Sequence, residues 1–518
     1  MATSNLARLL RWNAVRRADK EALVDGDDRW TFAELDADVD RHAHALLEAG
    51  VRPGDVVAQL GRNSATYLLG MFAIARVGAI HLPLNWRLHE RELTYILDHS
   101  GATTLLVDED MREKAVALVG VGDLRCIVAH SGPTVADSPT LPELLARAPS
   151  TPLPDAEVSE DDLQRILYTS GTTSRPKGVM ISNGNVLANQ LGQILELELT
   201  KNDRCMMSAP LFHVAGLEAP GHSTLYAGGT MVLTRSYAGR DVIELAAKER
   251  ITGMVLAAQI LYDILSMPDL EDFDLSAMRF IIFGGMPVEQ RRLVQAAFPQ
   301  TRLIDTFGMT ELTNGGAYMD EAHCDEKIGG QGWPFPHVDF RIVDENDEPV
   351  PAGVIGEICI RGLKVSRGYW RDPEATARAW RDGWFHSGDM GSVDEDGCLW
   401  FADRKADMIR SGGENIASAE VERVLAAHPA VAEVAVVGIP DPKWDEVPKA
   451  FVILKPDAPT TSEELVGHCA EHLAKFKVPK ELEIVDYLPR NDSGKVLKRA
   501  LRDSNLETAK ALDARAQR

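Results

Sequence analysis

The sequence predicts an α/β protein of at least two domains: helix-covered sheets over the first several hundred residues, a compact β-rich subdomain after Gly332, and a small α+β unit from near residue 405. Three observations carry this expectation. A chain of 518 residues exceeds the size of one hydrophobic core. Short β-branched runs at 55–59, 103–107, 231–234 and 279–283 alternate with stretches of helical periodicity, the pattern of sheets flanked by helices. After Gly332, runs at 339–343, 356–361 and 398–402 are broken by Asp-Glu, Pro-Ala-Gly and Asp-Gly turn signals, which is the punctuation of short strands.

In chain order, residues 6–17 are basic and amphipathic. They read as a first domain helix and not a transit peptide, because Asp19 and Glu21 follow at once and no cleavage-like site appears. Residues 65–84 form the most apolar long stretch, yet they carry Arg76, His81 and Pro83, so a buried helix running into a loop is expected, with no membrane span. Proline and acidic residues in 152–161 mark a surface connection ahead of a strand at 163–168. Beyond Arg404 the periodicities predict a helix at 419–427, strands at 432–438 and 449–454, and a helix at 462–475. The charged tail from Arg499 reads as a solvated helix.

Composition narrows the function. With an apolar share of 45% and a charged share of 26%, the chain has a globular make-up. A formal net charge of -23 leaves no general attraction to nucleic acid or an anionic membrane, so an anionic ligand needs a local positive site. The six cysteines (Cys126, Cys205, Cys324, Cys359, Cys398 and Cys469) are far apart and form no C-x-x-C pair, which fits a reducing cytoplasm and no structural zinc.

The chemistry is written in short segments. Residues 167–179 read LYTSGTTSRPKGV, a strand entering hydroxyls and glycines and ending on Lys177. Such a loop wraps phosphates with backbone N–H groups, hydroxyls and one cation. It is not a Walker loop, since Pro176 stands where a glycine is needed and Gly178 follows the lysine. No G-x-S-x-G elbow of a serine hydrolase occurs.

Here the sequence resembles the adenylate-forming superfamily of acyl-CoA synthetases, luciferases and stand-alone adenylation enzymes, whose phosphate loop looks like YTSGTTGxPKG. The resemblance runs in order from Leu167 to Lys498. By it, Thr169, Ser170, Gly171, Thr172, Thr173 and Lys177 hold phosphates, and His213 in SAPLFHVAG lines the acyl pocket. FGGMP supplies Gly284, Gly285, Met286 and Pro287 beside adenine. TFGMTE supplies Thr306, Phe307, Gly308, Met309 and Thr310 to the nucleotide, with Phe307 stacking, Thr310 on phosphate and Glu311 on Mg²⁺, a hard cation that prefers oxygen. Asp389 in WFHSGD takes the ribose hydroxyls and Arg404 faces ribose or phosphate. Gly412 and Gly413 lie along pantetheine, and Lys495 in PRNDSGKVLK reaches the acyl and α-phosphate oxygens. Lys495, Thr169, Glu311 and His213 are the residues implied in the chemistry, and ATP, Mg²⁺ and coenzyme A are the implied cofactors. Lys475 and Lys477 lie in the neighbourhood the family uses near CoA phosphates.

The resemblance further implies a large N-terminal domain, 1–403, of two α/β sheet subdomains plus a β-rich one, and a small mobile α+β C-terminal domain, 404–518. The expected reaction joins a small hydrophobic carboxylic acid, fatty or aromatic, to CoA through an acyl-adenylate. The alternative is a stand-alone adenylation enzyme that loads a carrier protein. Amino-acid-activating members place an Asp after the His213 segment; residues 217–226 have only Glu218, which leaves that option open. Four positions depart from the family pattern: Ser174 for a loop glycine, Phe307 for tyrosine, Ala406 at the usual hinge, and Gln259 where many relatives carry Val-Pro.

Overall fold

A computed structural model describes residues 5–169, 176–284, 288–319, 323, 326–411, 414–441, 443–456, 458–490 and 496–503. The chain divides into two compact units, one comprising Met1–Phe340 and Ile360–Phe385, the other Arg341–Cys359 and His386–Arg518.

The first unit holds two sheets. One has six strands in the order Cys126–Ala129, Ala102–Val107, Val56–Leu60, Ile80–Leu84, Leu163–Thr169, Lys177–Ser182, all parallel except the last. The other has nine, and its central strands (Arg302–Met309, Phe280–Phe283, Gly253–Val255, Arg204–Met207, Thr230–Leu233 and Glu21–Asp25) run parallel. The helix Ala65–Val77 explains why these sheets share a core. Ser64 caps its start by accepting from Tyr67 N, Gly78 closes it with φ 78°, and the helix is apolar nearly all round. Its Leu68, Met71 and Phe72 join one cluster with Leu23, Met207 and Met231 of the nine-stranded sheet and Leu167, Val179 and Ile181 of the six-stranded one. Its one charge is neutralised in place, for Arg76 lies wholly buried against Asp36 at 2.5 Å, Asp40 at 2.8 Å and Asp155 at 3.0 Å.

The 65–84 stretch differs from expectation at its end. Ile80–Leu84 is a fully buried strand, not a loop. Pro83 is tolerated because its partner Gln59 lies on the well-paired side, whereas on the other side the ladder to Leu163–Thr169 is registered only at His81 and Arg165.

The helix Phe32–Glu48 starts on a capping box of Thr31 and Glu34 and buries His42, whose Nδ1 lies 2.7 Å from the Asp38 carbonyl. Burial pulls the imidazole from its usual 6.5 down to about 4, against the opposing pull of Asp38. As pH falls below 6.5 the unfolded chain takes the proton first, so stability is lost until the folded ring also titrates near pH 4. Integrated over that window the loss is about 3 kcal/mol. Urea unfolding at pH 7 and pH 5 tests this: His42→Gln narrows the stability gap between the two, and an unchanged gap contradicts the assignment.

In the second unit a sheet of Glu414–Ile416, Ile409–Ser411, Asp445–Leu454 and Val431–Asp441, with Glu481–Ile484 beside Asp445–Leu454, packs against helices Ser418–Ala426 and Ser462–His472. This is the α+β unit expected from the sequence. Leu399–Arg404 of the β-rich region pairs antiparallel with 389–393 in the same unit.

Candidate functional site

The first part of the site grows from a hairpin. Leu163–Thr169 and Lys177–Ser182 pair antiparallel with Thr169 opposite Lys177. The intervening residues 170–175, including Ser170, Gly171, Thr172 and Thr173, lie outside the described residues, as do Gly285, Met286, Pro287, Gly412, Gly413 and Lys495. Both ends of the hairpin connection are braced by the helix Glu90–Ser100: Tyr168 Oη lies 2.7 Å from His99 Nδ1, and Tyr95 donates to the Pro176 carbonyl at 3.4 Å. Burial, then Arg371, pulls the His99 imidazole below its ordinary range, while burial pushes the Tyr168 phenol up.

Glu311 comes from the other sheet. Arg302–Met309 runs into the short turn Thr310–Leu312 and returns antiparallel as Asn314–Tyr318, with Thr313 (φ 52°) and Asn314 (φ 109°) making the reversal. Gly308 is required there, because a Cβ would stand 2.6 Å from the Asn314 carbonyl oxygen and 2.7 Å from Gly315 Cα. Phe307 is buried, edge-on to Phe340 with ring centres 6.1 Å apart, and Thr310 is buried as well. The Thr306 hydroxyl donates to the Ala317 carbonyl at 2.8 Å. Gly284 follows Phe280–Phe283, which lies parallel to this strand with Phe283 opposite Asp305. Gly284 and Thr306 to Glu311 thus collect at the carboxyl ends of adjacent parallel strands, where α/β sheets bind ligands.

One residue that sequence reasoning missed joins the two halves. The Tyr369 hydroxyl donates to Glu311 Oε1 at 2.9 Å, and Lys177 Nζ stands 4.8 Å from the centre of the same ring. Burial, then the Glu311 charge, pushes the phenol well up, so it stays a donor. Its only signal in the sequence was an aromatic after Gly368, too common a pair to single out.

His213 caps the helix Val214–Glu218 through Nδ1, which accepts from Ala215 N at 3.3 Å, and its ring is exposed. Glu218, at the far end, is wholly buried: Arg165 Nη1 lies 2.8 Å from Oε1 and Asn189 donates to Oε2 at 3.1 Å. Burial raises its pKa, but Arg165 and His222 outweigh that and hold it below the usual range. A carboxylate so committed does not hold a substrate amine, which removes the feature that left amino-acid activation open.

In the second unit Asp389 is buried opposite Arg404 in the ladder, and Arg404 Nε lies 3.0 Å from Oδ1. Ser387 fixes the turn, donating to the Ile358 carbonyl at 2.6 Å and accepting from Asp389 N at 3.0 Å. Lys405 pairs with Glu357 at 2.8 Å, and Lys477 with Glu420 at 2.7 Å, so Lys477 enters any CoA site as a paired cation. Among the described residues no helix is long and apolar enough to cross a membrane.

The hairpin braced at both ends and the carboxylate at the strand termini belong to an adenylate-forming enzyme. The chain belongs to the AMP-binding enzyme family, which matches residues 10–370, with the AMP-binding enzyme C-terminal domain matching 420–495. It is 40% identical over 482 residues to a feruloyl-CoA synthase of Amycolatopsis sp., covering 93% of this chain and 95% of that one. It is 35% identical over 489 residues to a 2-succinylbenzoate–CoA ligase of Geobacillus sp. (strain WCH70), covering 93% and 94%. An anthranilate CoA ligase in complex with anthranoyl-AMP superposes with a TM-score of 0.90 at 30% identity, over 98% of both chains. The protein is an ATP-dependent, AMP-forming acyl-CoA ligase: a carboxylic acid and ATP give acyl-adenylate and pyrophosphate, and CoA then gives the thioester and AMP.

Proposed function

We propose that the acid is a hydrophobic aromatic carboxylic acid. The observation that carries this is the shared character of the relatives: the two ligases and the solved structure are named for acids with an aromatic ring, and the likeness spans nine-tenths or more of each chain. The commitment of Glu218 to Arg165 counts against an amino acid as the substrate.

In the adenylation step the acid carboxylate oxygen attacks the α-phosphorus of ATP, and the bond to pyrophosphate breaks. Two anions meet, so the site must supply positive charge in fixed positions. Lys177 and residues 169–173 hold the phosphates, Phe307 with Gly284 to Pro287 flanks adenine, Thr306 to Thr310 border the nucleotide, and Asp389 accepts from the ribose. Glu311 fits Mg²⁺: it is a carboxylate oriented by a phenol, with a threonine hydroxyl next in sequence, an all-oxygen set that suits a hard cation. When bound, the ion neutralises phosphate charge. Lys495 meets the developing charge on the acyl and α-phosphate oxygens, and His213 borders the acyl group. In the second step the CoA sulfur attacks the acyl carbonyl and AMP departs. Rotation of a C-terminal domain beginning at Arg404 withdraws Lys495 and brings Gly412 and Gly413 along pantetheine. A cytoplasmic location fits the wide spacing of the cysteines, which form no C-x-x-C motif.

Pyrophosphate release measured over ferulic, 2-succinylbenzoic, anthranilic and straight-chain fatty acids, with and without CoA, tests the reading. An aromatic acid is expected to give the highest kcat/KM, with thioester forming on CoA addition. Turnover of fatty acids alone, or transfer only to a carrier protein, overturns it.

A further inference from the structure

The segment from Lys364 to Trp370 is bonded on both flanks to elements of the nucleotide site. On one flank Ser366 N donates to the Glu311 carbonyl at 2.7 Å, and Thr313 Oγ1 donates to the Lys364 carbonyl at 2.8 Å. On the other, Arg367 N donates to the Met180 carbonyl at 3.1 Å, Met180 N to the Gly368 carbonyl at 2.9 Å, and Trp370 N to the Gly178 carbonyl at 2.7 Å. The strap therefore ties the Glu311 turn of one sheet to the Lys177 strand of the other. Gly368 makes its bend possible, with φ at +127° and a position where a Cβ would meet Thr376 Cγ2 at 2.5 Å. Tyr369 sits at the centre of the strap, 8% exposed and edge-on to Trp380 with ring centres 5.2 Å apart.

From this geometry we infer that Tyr369 is a positioning residue for ATP and its metal: the hydroxyl aims the Glu311 carboxylate while the ring face seats the Lys177 ammonium. The two contacts use different parts of one side chain, at 2.9 Å from Oη to Glu311 Oε1 and 4.8 Å from Nζ to the ring centre. A carboxylate and an ammonium brought into one small site would pair directly if nothing held them apart, leaving neither for a ligand. An aromatic side chain in contact with each satisfies both, with a hydrogen bond on its polar end and a cation–π contact on its face. Glu311 then keeps its charge for a cation, and Lys177 keeps its donors for phosphate. The Glu311 end of this inference rests on the metal role proposed above; the Lys177 end does not.

The two contacts separate by substitution. Tyr369→Phe keeps the ring and removes the hydroxyl, whereas Tyr369→Leu removes both. Binding of Mn²⁺ in the presence of ATP is followed by electron paramagnetic resonance, and metal-free ATP binding by calorimetry in EDTA, alongside adenylation rates. For Tyr369→Phe the Mn²⁺ affinity is expected to fall about tenfold, the worth of a hydrogen bond to a charged group, with metal-free ATP binding unchanged. For Tyr369→Leu both fall. A purely structural tyrosine would show equal metal-free ATP binding in the two variants and a shared loss of thermal stability. Mn²⁺ binding unchanged in Tyr369→Phe overturns the inference if Glu311→Gln abolishes that binding in the same assay. If Glu311→Gln also leaves Mn²⁺ bound as before, the metal role of Glu311 itself is what fails, and the Lys177 end is then decided by the EDTA arm alone, where equal ATP affinity in the Phe and Leu variants overturns it.

Discussion

Glu218→Ala is expected to destabilise the first unit by about 3 to 5 kcal/mol, the cost of leaving a buried charge without its partner. Arg165 is wholly buried and burial already pulls its pKa down, so the guanidinium cannot be rehydrated where it lies. The effect reaches further than one pair. Asn189, which donates to Glu218, also accepts from Lys364 Nζ at 2.6 Å, and that ammonium contacts the Gly315 carbonyl and lies 3.7 Å from the Phe335 ring centre. Burial drives Lys364 well below the usual lysine range, with Glu218 the charge that opposes this, so losing Glu218 weakens the support of the hairpin that follows Glu311. Urea unfolding gives the measurement. The double variant Arg165→Met with Glu218→Leu should recover most of the loss, because an apolar pair of similar volume removes the uncompensated charge. A single variant as stable as the wild type would mean that water reaches Arg165.

Lys495→Ala is expected to slow adenylation by about 10²- to 10³-fold, the usual effect of deleting a group aimed at developing charge in a closed site. Thioester formation from supplied acyl-adenylate should keep nearly its full rate, since the proposed rotation withdraws this lysine before CoA attacks. Single-turnover assays of each half-reaction check the split. Equal loss in both would contradict a lysine that serves only the first.

The fold was legible where periodicity was clean. Runs at 103–107 and 279–283 are the strands Ala102–Val107 and Phe280–Phe283, and 419–427 is the helix Ser418–Ala426. Ile80–Leu84 escaped because proline argues against a strand, and its tolerance depends on which neighbour pairs along which edge, a tertiary fact. The nucleotide segments were readable because each packs several demanding residues into a short run. Tyr369 was not: its importance lies in touching Glu311, 58 positions away, and Lys177 in another sheet. Glu218 misled for the same reason, since three elements separate it from its partner Arg165 and nothing local announces the pairing.

The wedging of Ala65–Val77 between both sheets has a consequence for folding. A helix that is apolar nearly all round has no solvent-tolerant face to show if either sheet melts, so the two sheets of the first unit are expected to share one cooperative transition. A nick or truncation that parts them would release a sticky, aggregation-prone fragment and no autonomous half-domain.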